Sequence, residues 1–282
     1  MKLEITNITK RFGSLTALEN ASMSFETGHI TGLFGRNGAG KSTLIKCIGN
    51  RISPDSGLVT LDGTPLSSSS AVFGNVFTVG EENMLPSSMK LRDVYALMDD
   101  LGKGNRRKAE ALSGEFRLDT GKKWDKLSTG YRTIFKDILA LSSSAPFVFF
   151  DEPVLGLDAA HRELFYEKLL SSFREDKCLI IATHLIDEIA SLVDSVTIID
   201  RGRVLTSGDR EKMLENLYFV SGREEDVNRA TVKTHQISRS VKLGKTVALV
   251  RGEVERNDSV TVEGVDLQKY FVELTKESVY EY

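Results

Sequence analysis

The segment Gly35-Arg36-Asn37-Gly38-Ala39-Gly40-Lys41-Ser42 cuts into the apolar run HITGLF and is followed by TLIKCIGNRI, whose apolar residues have helical spacing. It fits G-x-x-x-x-G-K-[ST] in the strand-turn-helix setting that gives the pattern its meaning. The glycines let the backbone turn so that successive N–H groups point into one concavity, and the helix N-terminus adds the positive end of its dipole. This chemistry suits the phosphates of a nucleotide. Residues 35–43, with Thr43 closing the turn, are the predicted cradle; Lys41 would reach the β- and γ-phosphates and Ser42 would ligate Mg²⁺.

The remaining sequence supplies the strands and helices that such a turn needs. LEITNITKRF alternates as a strand does, and two further strand-like stretches flank Gly28. VTLDGTPLS after Pro54 reads as a short hairpin, Ser67 to Ser70 as a solvated loop, and 87–140 as mainly helical. FVFFDEP, CLIIATH and SVTIIDRG are apolar runs of strand length separated by helical stretches such as HRELFYEKLLSSF. Such alternation predicts an α/β fold with a parallel sheet covered by helices.

At 282 residues the chain has room for about two domains. The composition shifts near Asn216, beyond which YFVSG, HQISRSVKL, TVALVRGEV and SVTVEGV read as strands and DLQKYFVELTKE as a helix capped by Asp266. Residues 217–282 are therefore expected to form a small α+β extension; the mixed run Arg223-Glu224-Glu225-Asp226 reads as a solvated face. A net charge of -3 argues against a dedicated nucleic-acid binder, and two cysteines, Cys47 and Cys178, in apolar segments argue against a disulfide framework. No apolar run reaches the ~18 residues of a membrane span, so a cytoplasmic chain is expected.

FVFFDEP sets Asp151 at the end of an apolar strand, where a carboxylate can hold Mg²⁺ beside a phosphate loop. Glu152 faces another way and can position and deprotonate a water attacking the γ-phosphate.

Four further segments, in this order with the two above, resemble the ATP-binding cassette of ABC transporters. The resemblance covers about residues 1–209. Leu127-Ser128-Thr129-Gly130-Tyr131-Arg132 looks like the family signature, normally LSGGQ, and lies 24 residues before Asp151. The resemblance implies that it opens a helix, with Ser128 and Gly130 contacting the nucleotide held by a second subunit. Gly156-Leu157-Asp158 resembles the family's D-loop, which runs along the dimer interface, and His184 resembles its switch histidine. Phe12 matches the aromatic residue that stacks on adenine.

Two departures stand out. Glu81, in TVGEENMLP, occupies the place of a glutamine that ligates Mg²⁺, and Thr129 replaces the signature's second-position glycine. A carboxylate ligates Mg²⁺ as well as an amide does, but adds negative charge near the phosphates.

The resemblance implies an ATP hydrolase with a cassette over 1–216, a helical subdomain at about 82–140, and a P-loop fold whose N-terminal β subdomain is antiparallel. Its cofactors would be ATP and Mg²⁺. Its partners would be a second ATPase subunit and a separate transmembrane permease, which would hold it on the inner face of the cell membrane; no nucleic acid is expected. The signature region and the extension most resemble the ATPases of bacterial exporters of antibiotics, peptides or lipids. Rival readings are an importer ATPase, a soluble ABC protein acting on ribosomes or DNA, and a regulatory pseudo-ATPase. The single cassette, with only 83 residues between Leu44 and Lys126, speaks against the ribosome or DNA reading.

Overall fold

The structure, a computed structural model, describes residues 1–66, 74–80, 82 and 86–276. Ser67 to Ser70 and Glu81 thus lie outside the described residues.

The chain opens with β1 (Lys2–Phe12), β2 (Leu15–Glu26) and β3 (His29–Phe34), and α1 (Lys41–Ile48) follows the Gly-rich turn. Next come β4 (Ser56–Leu61), β5 (Thr64–Pro65) and β6 (Val76–Val79). Then α2 (Leu91–Asp100), α3 (Arg106–Glu115), a 3-10 turn at Trp124–Lys126 and α4 (Thr129–Ser142) form the helical stretch. The chain continues through β7 (Phe147–Asp151), α5 (Ala159–Ser172), β8 (Cys178–Thr183), α6 (Ile186–Ile189), β9 (Ser195–Asp200), β10 (Arg203–Asp209) and α7 (Arg210–Leu214). It ends with β11 (Leu217–Gly222), α8 (Glu224–Ala230), β12 (Thr234–Lys242), β13 (Lys245–Gly252), β14 (Val260–Gly264) and α9 (Leu267–Leu274).

Among the described residues three sheets form, with orders β2-β1-β4-β5, β10-β9-β3-β8-β7-β6 and β12-β13-β11-β14. The first is antiparallel. In the second, β3, β6, β7, β8 and β9 run parallel. Strand β7 shows why its sequence is an unbroken apolar run. Phe147 and Phe149 join the core that holds Leu3, Ile5 and Phe25 of the antiparallel sheet, with Phe25 edge-on to Phe149 at 5.4 Å. Phe150 on the opposite face meets Phe165 of α5 at 5.7 Å. A strand buried on both faces cannot alternate.

The chain divides into two compact units. One comprises 1–185 and 191–207; the other comprises 186–190 and the chain from Gly208 onward. In the second unit α8 covers Val220, Ala248 and Val250 with Val227 and Ala230. The solvated face read for 223–226 holds at Arg223, Glu224 and Glu225, which are exposed, and needs correcting only at Asp226: Glu224 to Asp226 form the first turn of α8, and Asp226 is buried and bonded to Arg223 Nε at 2.8 Å. An acidic first turn suits the helix dipole, and i,i+3 spacing brings the arginine back to it. Both cysteines are free and buried.

Candidate functional site

The Gly-rich turn, Gly80, Asp151 and Thr183-His184 all lie at or just beyond the carboxyl ends of parallel strands, where open α/β sheets place their sites. The turn itself is fixed by close approaches. A Cβ on Gly35 would sit 2.6 Å from Ile199 O, and one on Gly40 would sit 2.7 Å from Ala17 O. Gly38 and Gly40 have φ of +81° and +106°, the left-handed side that glycine enters freely. Gly202 N donates to Ala39 O at 2.9 Å, holding the loop against the β9–β10 turn. Around Gly38 there is nothing within 4 Å of a Cβ, so the loop faces open space at its tip. Arg36, Asn37, Ser42 and Thr43 complete the same turn and the start of α1.

Lys41 is almost fully buried and its ammonium donates to Gly35 O at 2.7 Å and Arg36 O at 3.3 Å. It also lies 3.4 Å from Glu152 Oε1. Glu152 is the hub of the cluster: Thr183 Oγ1 donates to its Oε2 at 2.9 Å, and His184 Nδ1 meets its Oε1 at 3.0 Å. Its backbone N donates to Ala182 O at 2.8 Å while its φ is 52°. A left-handed residue directly after a strand turns its side chain out of the sheet's alternation, which is how Glu152 and Asp151 come to serve different partners.

Asp151, opposite Ala182 in the β7–β8 register, lines a cavity of about 110 Å³ together with Ser42, Lys46, Arg51, Gly80 and Glu82. A hydroxyl and a carboxylate across a small polar cavity form a hard-oxygen donor set of the kind Mg²⁺ takes, with waters and phosphate oxygens completing the shell. Among the described residues no three His, Cys, Asp or Glu side chains gather as a protein-only metal cage. The residues therefore fit a metal held jointly with phosphate.

A larger cavity, about 280 Å³, adjoins Asp151 and Glu152 and is lined along α4 by Thr129, Arg132, Thr133, Lys136 and Asp137. Lys136 Nζ donates to Gly80 O, and Arg132 and Lys136 both approach the Trp124 ring, at 5.6 and 5.8 Å. Asp137 is buried, and burial pushes its carboxyl well above the usual carboxylate range.

Ser128, Gly130 and Asp158 lie at the N-termini of α4 and α5. Ser128 caps α4 by accepting from Tyr131 N at 3.4 Å, and Asp158 caps α5 by accepting from His161 N at 2.9 Å. Phe12 ends β1 with about half its surface exposed and Lys10 Nζ 5.5 Å from its ring, so it is not a core residue. Sequence reading missed Thr183, Lys136, Asp137 and His161. Thr183 stands beside His184 at a strand end, which was the signal available for it.

The fold and this site define a P-loop nucleotide-binding protein of the cassette type. The family model described as ABC transporter matches residues 18–155. The Nod factor export ATP-binding protein I of Burkholderia lata is 30% identical over 233 residues, covering 76% of this chain and 73% of that protein. The chain therefore belongs to the ATP-binding cassette family of ABC transporters, whose ATP-binding domain binds and hydrolyses ATP. It is also 29% identical to the ABC transporter ATP-binding protein NatA of Bacillus subtilis, over 80% of this chain and 95% of that protein. The arabinose import ATP-binding protein AraG of Paraburkholderia xenovorans is 32% identical over 73% of this chain, which spans only 42% of that protein. Among solved structures, an ATP-binding subunit of an ABC transporter shares the fold with a TM-score of 0.66 at 24% identity, over 76% of this chain and 92% of that one.

Proposed function

We propose that the chain is the ATP-hydrolysing motor subunit of an exporter, acting as a dimer on a separate transmembrane subunit at the inner face of the membrane. The carrying observation is the Glu152 hub, a carboxylate oriented by Thr183 and His184 and set against the phosphate-loop lysine. Lys41 neutralises charge on the β- and γ-phosphates, exchanging its carbonyl partners for phosphate oxygens. The N–H groups of residues 35–43 hold the phosphates, and Phe12 supplies a π-face for adenine. Mg²⁺, held by Ser42 and Asp151, would neutralise charge between the phosphates. Glu152 accepts the proton of the attacking water, and His184 holds Glu152 and faces the γ-phosphate. Ser128, Gly130 and Asp158 complete the site of the opposite subunit.

The cassette is read as 1–216, its helical subdomain as about 82–140, and 217–282 as an extension. Among the described residues no helix is long and apolar enough to cross a membrane, which supports a separate permease. The export reading rests on the resemblance of the signature region and the extension to exporter ATPases; relatives named for export and for import both match the chain. Co-purification of a substrate-binding protein with the native complex would instead mark an importer.

Glu152→Gln keeps the hydrogen-bonding shape and removes the base. It is expected to bind ATP, to hydrolyse it about 10²–10⁴-fold more slowly and to accumulate as a dimer. Phosphate release and sedimentation measure both; normal turnover by this variant refutes the assignment of the base.

A further inference from the structure

We propose that His161 is a positioning residue that fixes Asp158 and clamps the loop at 154–158 to the first turn of α4. The proposal rests on the reading of Ser128, Gly130 and Asp158 as the half-site offered to a second subunit.

Two bonds from one residue converge on one oxygen. Asp158 Oδ1 accepts from His161 N at 2.9 Å and meets His161 Nδ1 at 2.9 Å. A carboxylate only accepts, so Nδ1 carries the ring proton in this contact. Asp158 is otherwise an exposed side chain, about two-thirds accessible, with rotamer freedom to lose.

The imidazole is in turn held from two other helices. It lies nearly parallel to Phe116, just past the end of α3, with centroids 6.4 Å apart, and edge-on to Tyr131 of α4 at 6.2 Å and 74°. Both are within the range of attractive aromatic pairing. Tyr131 stands where the signature normally has glutamine, so its partner here is a ring instead of an amide contact.

The backbone closes the same clamp. Thr133 Oγ1 donates to Leu155 O at 3.2 Å, Arg162 Nε donates to Leu157 O at 3.2 Å, and a Cβ on Gly130 would come within 3.0 Å of Gly156 O. Gly130 thus lets α4 pack closely on the loop inside one chain, where a Cβ would press on Gly156 O. A tilt of α3 or α4 moves the His161 ring, and the ring carries the Asp158 carboxylate with it.

Two substitutions separate the ring from its hydrogen bond. His161→Phe keeps the faces toward Phe116 and Tyr131 and deletes the Nδ1 donor; His161→Asn keeps a donor at that position and deletes the ring. In the full chain, His161→Phe is expected to lower kcat for ATP about tenfold with KM within about twofold, while His161→Asn recovers most of kcat. Equal kcat in His161→Phe and wild type, or an equal fall in both variants, overturns the proposal. Imidazole ¹⁵N NMR of the unmodified chain provides a readout independent of turnover: a fixed Nδ1–H tautomer is expected, and a ring averaging between tautomers also overturns it. Absence of hydrolysis in the wild type with a fixed tautomer sinks the motor reading and leaves the clamp standing.

Discussion

At the scale of single residues, the site is built by backbone that only certain side chains tolerate. Glu152 at φ 52° stands in a region that is costly for residues bearing a Cβ, by about 1–3 kcal/mol, and Ala182, Thr183, His184 and Lys41 over-determine it. The sequence already assigned Asp151 and Glu152, neighbours at a strand end, to different partners; the left-handed dihedral that aims Glu152 at Lys41, Thr183 and His184 is what no composition or spacing encodes. Gly40 is the converse case, legible as a motif glycine for two reasons that only the structure separates. Its φ is +106°, and a Cβ would meet Ala17 O at 2.7 Å, a backbone atom of β2 that cannot swing aside. Gly40→Ala is therefore expected to destabilise the protein by about 1–3 kcal/mol and to weaken ATP binding at least about tenfold. Thermal unfolding and a nucleotide titration check the two effects; wild-type values for both would show that the loop has another conformation available.

At the scale of the element, α4 departs most from what its sequence pattern announces. Thr129, Arg132, Thr133, Lys136 and Asp137 recur at i, i+3, i+4, i+7 and i+8, the spacing that ordinarily marks an apolar face. Here that stripe lines the 280 Å³ cavity next to Asp151 and Glu152. The helix itself was legible, since Ile134, Phe135, Ile138 and Leu141 are apolar and all are buried. The burial of Asp137 was not, because a charged residue read along a helix is assigned to solvent by default. Its Oδ2 has no hydrogen-bond partner among the described residues. With the folded carboxyl raised above its unfolded value of 3.8, the folded state binds the proton more tightly, so this group weakens the fold progressively as pH rises above about 4. Asp137→Leu is expected to raise stability by about 1–3 kcal/mol at pH 7, with a smaller gain at pH 4. Melting curves at the two pH values test this, and a gain independent of pH would assign the effect to packing alone.

At the scale of the whole molecule, the two units do not divide where the composition shifts. The change of character near Asn216 is real in sequence, but the compact unit that holds β11 to β14 also includes 186–190 and begins again at Gly208. Ile186 and Ile189 are buried there, and α6 packs on α9, the last described helix. Arg210 Nη1 donates to Ala190 O at 2.6 Å, and Arg251 from β13 donates to Met213 O at 2.6 Å and Glu215 O at 3.0 Å, satisfying carbonyls at the end of α7. These contacts join segments far apart in the chain, so no window of sequence reveals them. Truncation after Asn216 would remove α9 from Ile186 and Ile189, each worth about 1.5–3 kcal/mol when buried, and would leave the α7 carbonyls without Arg251. The truncated chain is therefore expected to melt well below the full chain, because residues 186–190 lose the rest of their own compact unit. A truncated chain with the full-length melting temperature would mean that 217–282 is a separable appendage; a lower one would make it part of the fold to which 186–190 belong.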